Sequence, residues 1–346
     1  MKRIVVASSR KSAGKTSLVL GMARAMGGSV GYMKPLGDRL LYRKKRLWDY
    51  DAALVTRLLD LGHAEDEITI GFERVKLRYM YDRDTTARKV LDIAARTGEG
   101  KDVLLIEAGA DLSAGSSVFL DPIELARTLD ASLVVLVTGT VDSVVDDVAF
   151  IKRHVNLSGV RLDGVVFNKI PDVADFKDTQ VADVTALGVD VLGVLPYKEE
   201  LTHASIRFLA DVLFARVIAG EGGLDKVARH ILVAAMSTES ALRDPVFHKP
   251  EKLIITSGDR SDLVLAALDT NTSAIVLANN ILPPPIIVAK ATERNIPVLL
   301  VPTDTFKTAK QIDDMEALLT REETGKLDLL ASLASRHVDV ARLMAP

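Results

Sequence analysis

Ile4-Val5-Val6-Ala7-Ser8-Ser9-Arg10-Lys11-Ser12-Ala13-Gly14-Lys15-Thr16-Ser17-Leu18-Val19-Leu20 is the stretch that decides the fold. A short β-branched run reads as a buried strand, and the apolar spacing after Thr16 reads as a helix. Between them lies a loop that can turn its backbone N–H groups round a phosphate. Gly14 allows close approach, Lys15 reaches the β and γ oxygens, and the Thr16 hydroxyl faces Mg²⁺ at a helix start. The usual first glycine is absent, and Ser9 stands there. The reading is a site for the tail of a nucleoside triphosphate, ATP with Mg²⁺, on residues Ser9, Arg10, Lys11, Ser12, Ala13, Gly14, Lys15, Thr16 and Ser17. Arg10 and Lys11 either add charge across the γ-phosphate or face solvent.

Working outward, Val103–Ile106, Leu133–Thr138 and Gly164–Asn168 are further short, continuous apolar runs with helical spacing between them. Shorter strands at Ser29–Met33 and Val191–Leu195 lead into Pro35 and Pro196. Buried parallel strands joined by helical crossovers read this way, so residues 1–208 are expected to form a doubly wound α/β domain. Leu209–His230 reads as helices interrupted by AGEGG at 219–223. Strand and helix then alternate again from Lys252 to about residue 313. Residues 209–320 are therefore a second, smaller α/β domain, and 321–346 a helical tail, with TREET at 320–324 as a break.

Composition narrows the classes. The 346 residues are 48% apolar and 26% charged, with a net charge of -3 and no sustained basic run. Neither a nucleic acid nor a membrane is an expected partner. Without cysteine, disulfides and thiolate chemistry are excluded. The opening MKRIVVASS is too short an apolar run for a signal peptide or a span, so a cytoplasmic protein is expected. Histidines 63, 154, 203, 230, 248 and 337 show no ligand spacing.

Other strand ends carry candidate chemistry. Glu107 closes the run Val103–Ile106 before Ala108-Gly109-Ala110. It can hold Mg²⁺ opposite Thr16, directly or through water, or sit in a glycine-rich turn. Asp51 opens a helix, as a first-turn acid or a second metal ligand. Lys34, fixed by Pro35, can neutralise a transferring phosphoryl group or lie on the surface. Asn168 is a base-contact candidate or a turn cap, and Pro196 with Tyr197 can flank the adenine.

Four blocks, SSRKSAGKT, YMKPLG at 32–37, YDAAL at 50–54 and LLIEAGADLSAG at 104–115, resemble those of dethiobiotin synthetase in their usual order. That family is an ATP-dependent carboxylase with a doubly wound sheet, working as a homodimer with its substrate near the subunit boundary. The resemblance implies that Lys34 is an active-site lysine and that Asp51 and Glu107 stand on the metal side. Arg10-Lys11 replaces the family's threonine and acid-rich loop, and Ala108-Gly109-Ala110-Asp111 its GAGG, so carboxylation of diaminopelargonate is not expected.

The chain is more similar to the dethiobiotin-synthetase-like module at the amino end of some long phosphotransacetylases. Ile254 to Leu263 (IITSGDRSDL), AIVLANNILPPP at 274–285 and PVLLVPTDTFKTA at 297–309 resemble the DRTGG domain. Arg260 there can accept a phosphate or carboxylate, or pair with Asp259 or Asp304. No acetyl-transferring domain follows in this sequence, so that activity is expected to be absent. Two functions remain open: an enzyme that activates a carboxylate or amine of a small-molecule substrate, or a nucleotide-gated module acting on an effector or a regulatory protein partner.

Overall fold

The computed structural model describes residues 1–43, 46–313, 315, 319–320 and 323–345. The chain divides into two compact units, Met1–Lys198 together with Leu319–Pro346, and Glu199–Leu318. Of the expected break at 320–324, residues 321 and 322 lie outside the described residues.

In the first unit β1 (Lys2–Ser8) leads to α1 (Lys15–Ala25) and β2 (Val30–Met33). A hairpin of β3 (Leu40–Arg43) and β4 (Arg46–Asp49) is followed by α2 (Tyr50–Leu58), α3 (Arg74–Met80) and α4 (Arg83–Gly98). Then β5 (Val103–Glu107), α5 (Pro122–Thr128), β6 (Ser132–Val137), α6 (Val141–His154), β7 (Arg161–Ile170), α7 (Val173–Ala186) and β8 (Val191–Pro196) alternate. The six-stranded sheet runs β2-β5-β1-β6-β7-β8, and every pairing in it is parallel. Ile4, Val5 and Val6 are fully buried, as are Leu104, Leu105 and Leu133 to Val137, because helices cover both faces. Strand order reverses beside β1, so β1 and β5 end together at a crevice.

The second unit contains β9 (Ala204–Ser205), α8 (Ile206–Val212), β10 (Arg216–Ala219), β11 (Val227–Ala228), β12 (His230–Val233) and α9 (Thr238–Arg243). It continues with β13 (Lys252–Ser257), α10 (Ser261–Leu268), β14 (Thr272–Ala278), α11 (Pro285–Glu293), β15 (Val298–Leu300) and α12 (Thr305–Asp313). Its sheet runs β10-β15-β14-β13-β12, parallel except for β10 on β15. The helical reading of Leu209–His230 is corrected here. The helix ends at Val212, Phe214 turns the chain with φ 50, and Arg216–Ala219 is an edge strand. Gly220 follows at φ 67, with the Ile296 carbonyl 2.2 Å from where a Cβ would stand, so the loop is pressed against the neighbouring chain. Four residues are too few for apolar spacing to separate strand from helix.

Two last helices, α13 (Thr324–His337) and α14 (Val340–Met344), belong to the first unit. Leu327, Leu330, Leu333 and Ala334 are buried, and α13 lies along α1. Gly21 makes that approach possible, since a Cβ there would stand 2.8 Å from the Leu330 carbonyl. The helix carrying the phosphate loop is thus held between the sheet and the last part of the chain.

Candidate functional site

The loop after β1 is shaped by its backbone. Ser9 N–H donates to Leu136 O at 3.0 Å, extending the ladder one residue, after which the chain turns through Ser12 (φ 62) and Gly14 (φ 100). α1 then starts with no side-chain cap and no acid in its first turn. Its first N–H groups have no intrahelical acceptor, and the helix dipole favours an anion there.

Lys15 is 8% exposed and donates to Ser8 Oγ at 2.9 Å and Ala110 O at 3.1 Å. Burial lowers its pKa, against the pull of Glu107 and Asp38. Thr16 Oγ1 donates to Glu107 Oε1 at 2.9 Å, because β5 pairs with β1 so that Val6 stands beside Glu107. The other Glu107 oxygen accepts from the Tyr32 hydroxyl at 2.9 Å. Burial pushes the Glu107 carboxyl up despite Lys34, and burial together with Glu107 holds the Tyr32 proton well above its usual range.

Lys34 follows β2 with its backbone pinned. Its N–H donates to Ile68 O at 3.1 Å, and the Thr69 hydroxyl donates to its carbonyl. Its side chain is 1% exposed. Nζ lies 2.7 Å from Asp51 Oδ2, 2.8 Å from Asp38 Oδ1, 3.3 Å from Asp49 Oδ1 and 3.6 Å from Glu107 Oε1. Burial opposes the charge, but Glu107, Asp51, Asp49 and Asp38 outweigh it and hold the ammonium well above its ordinary pKa. Asp49 also caps α2 through Ala52 N–H at 2.8 Å and accepts Asp38 N–H at 2.9 Å, and burial raises its pKa. Asp51 faces Lys34 with one oxygen and Arg39 Nη1, 3.4 Å away, with the other. Those two cations overcome burial and lower its pKa.

Among the described residues no group of three or more His, Cys, Asp or Glu side chains is arranged to hold a metal ion. The donor set nearest the loop is the Thr16 hydroxyl with the Glu107 carboxylate, two hard oxygens that suit Mg²⁺ completed by waters and phosphate oxygens. Asp51, expected beside them, turns both oxygens to cations instead.

Arg10 forms a two-point pair with Asp147 of α6, at 2.9 and 3.0 Å. Lys11 is exposed and makes no ion pair among the described residues. Asn168 Nδ2 donates to Ala13 O at 2.8 Å and lies 2.6 Å from where a Gly14 Cβ would be. Pro196 ends β8 beside Ile170, whose carbonyl accepts Tyr197 N–H at 2.8 Å. In the second unit Arg260 donates to Met236 O at 2.5 Å, whereas Asp304 accepts Lys307 N–H at 2.8 Å and Asp259 is exposed. The structure pairs Arg260 with neither of those acids.

Sequence reading missed Ser8, Tyr32, Asp38, Arg39 and Asp49. Asp38 stands four residues after Lys34 and Asp49 three before Ala52, the only local signals they carry. A cleft of about 380 Å³ opens beside this cluster, lined by Asp38, Leu40, Phe72, Glu73, Arg74 and Val75 among others.

A parallel doubly wound sheet with an uncapped glycine-loop helix start and an adjoining lysine and threonine defines a P-loop nucleotide-binding protein. The chain belongs to the family described as AAA domain, whose model matches residues 2–205, and the DRTGG domain model matches residues 208–315. Long phosphate acetyltransferases share this architecture. That of Pseudomonas aeruginosa is 25% identical over 98% of this chain and 51% of its own length, and that of Deinococcus radiodurans 25% over 100% and 52%. The chain spans about half the length of the curated relatives it matches. Among solved structures, MinD of Aquifex aeolicus covers 58% of this chain and 84% of its own at 16% identity and a TM-score of 0.37. The CBS and DRTGG regulatory region of Clostridium perfringens pyrophosphatase, complexed with diadenosine tetraphosphate, covers 35% and 52% at 20% identity and a TM-score of 0.29. Among the described residues no helix is long and apolar enough to cross a membrane.

Proposed function

We propose that residues 9–17 bind ATP with Mg²⁺ and that the γ-phosphate acts on the charge cluster around Lys34. The observation that carries this is Glu107, which accepts from Thr16 on the loop and stands 3.6 Å from Lys34 Nζ. Thr16 and Glu107 would hold the metal, which supplies charge neutralisation for the phosphate oxygens. Lys15 leaves Ser8 and Ala110 for the β and γ oxygens, and Asp51 and Asp38 keep Lys34 charged and aimed.

In the reading we favour, the chain is an enzyme. A carboxylate or carbamate oxygen of a small substrate in the cleft beside Asp38 attacks the γ-phosphorus, the bond to the bridging oxygen breaks, and ADP leaves. Lys15 and Lys34 stabilise the charge in transit, and an amine then displaces phosphate from the acyl phosphate. A homodimer with the substrate near its boundary accompanies this reading. ADP release stimulated by a fractionated metabolite pool is the expected result; normal ATP binding with no stimulation by any pool overturns it.

A second reading is supported by the near-complete enclosure of Lys34, whose ammonium already has carboxylates at 2.7 and 2.8 Å. Such a cluster can serve as a switch, repacking when a γ-phosphate arrives and signalling to a regulatory partner. Hydrogen exchange around Lys34 that differs between ATP and ADP favours the switch, and identical exchange removes it.

A further inference from the structure

We propose that Asn168 and Lys169, at the carboxyl end of β7, are positioning residues for the phosphate loop, and that Asn168 serves the loop in place of the base. The inference rests on the reading of residues 9–17 as a nucleotide site.

A loop that turns its N–H groups inward must turn carbonyls outward, because each peptide plane is rigid and its two polar groups point apart. Two such carbonyls are taken from one strand end. Lys169 Nζ donates to Ser12 O at 2.9 Å, and Asn168 Nδ2 donates to Ala13 O at 2.8 Å. A carbonyl can only accept, so the amide must present its nitrogen to Ala13. These are the two successive peptides that join Ser12 (φ 62) to Gly14 (φ 100), and Ser12 holds its left-handed conformation without being glycine. Such a conformation persists only where neighbours hold it.

Gly14 and Asn168 also require one another. With Nδ2 2.6 Å from the place of a Gly14 Cβ, the amide closes the outer side of the loop where the glycine leaves it bare. Lys169 itself sits at φ 62, which sends its side chain back along the strand end to the loop. The next residue, Ile170, accepts Tyr197 N–H at 2.8 Å. One strand end therefore sets the spacing between the loop and the Pro196-Tyr197 edge.

The two roles of Asn168 separate with a probe that has no base. Calorimetry of the full chain with inorganic tripolyphosphate, ATP and GTP compares the wild type with Asn168→Ala, Lys169→Met and Lys169→Arg. Both Asn168→Ala and Lys169→Met are expected to weaken tripolyphosphate and ATP by the same factor, roughly tenfold, leaving the ATP to GTP ratio unchanged. Lys169→Arg is expected to restore most of the affinity. Unchanged tripolyphosphate binding by Asn168→Ala, with ATP lost selectively against GTP, overturns the inference and returns Asn168 to the base. Lys169 is exposed, so its variants carry the test if Asn168→Ala does not fold. Wild-type protein that binds neither ATP nor tripolyphosphate overturns the underlying site as well, a result distinct from intact wild-type binding with unaffected variants.

Discussion

Thr16 Oγ1 and Glu107 Oε1 are 2.9 Å apart although 91 residues separate them, and the parallel pairing of β1 with β5 sets that distance. If the pair holds Mg²⁺, Glu107→Gln should weaken ATP binding about tenfold in the presence of the metal and hardly at all without it. Calorimetry with and without Mg²⁺ checks this. An equal loss in both conditions would assign Glu107 to the loop's shape alone.

Lys34 compensates four carboxylates at once, so its removal strands them in a buried site. Lys34→Met is expected to destabilise the first unit by about 3–5 kcal/mol at pH 7. The loss should shrink toward pH 5, because Glu107 and Asp49, already raised by burial, take up protons once the ammonium has gone. Urea unfolding at the two pH values measures it, and a pH-independent loss would mean that packing dominates.

Alkaline pH should loosen the wild-type cluster. The folded pKa of Lys34 is raised, so its contribution is full below the unfolded value of about 10.4 and is lost as pH rises through the folded one. Tyr32 adds to this, since above about pH 10 the unfolded chain releases a phenol proton that the folded site retains. Asp51 works at the other end. Its lowered pKa contributes above about pH 3.9 and is lost as pH falls through the folded value. Stability against pH, followed by thermal unfolding, should show a shoulder above pH 10 that moves in Tyr32→Phe.

Gly21 tests the seat of the last helices. A leucine there meets the Leu330 carbonyl and Ala334 Cβ, so Gly21→Leu should cost roughly 1–3 kcal/mol by overpacking. Protease cleavage between residues 319 and 345 should rise in step. Unchanged protection would show that α13 does not depend on this contact.

Much of the first unit was legible in the sequence for a clear physical reason. Runs such as Val103–Ile106 and Leu133–Val137 are buried on both faces, so burial leaves a continuous apolar signature, and Gly14-Lys15-Thr16 carries its chemistry within one turn. The edge strand Arg216–Ala219 was not legible, because its apolar run, Val217-Ile218-Ala219, is too short for strand and helix spacing to differ. The carboxylates around Lys34 were only partly legible. Asp51 and Glu107 stood in recognisable blocks, whereas Asp38 and Asp49 look like a turn acid and a helix cap.

Sequence alone determined the phosphate loop, the parallel strands and the second α/β unit, since each rests on local spacing and residue type. Only the tertiary structure decided which groups share Lys34, that Arg10 pairs with Asp147, and that Asn168 faces the loop. Those contacts join residues brought together by strand order, and a charge acquires its partner only when the sheet closes around it.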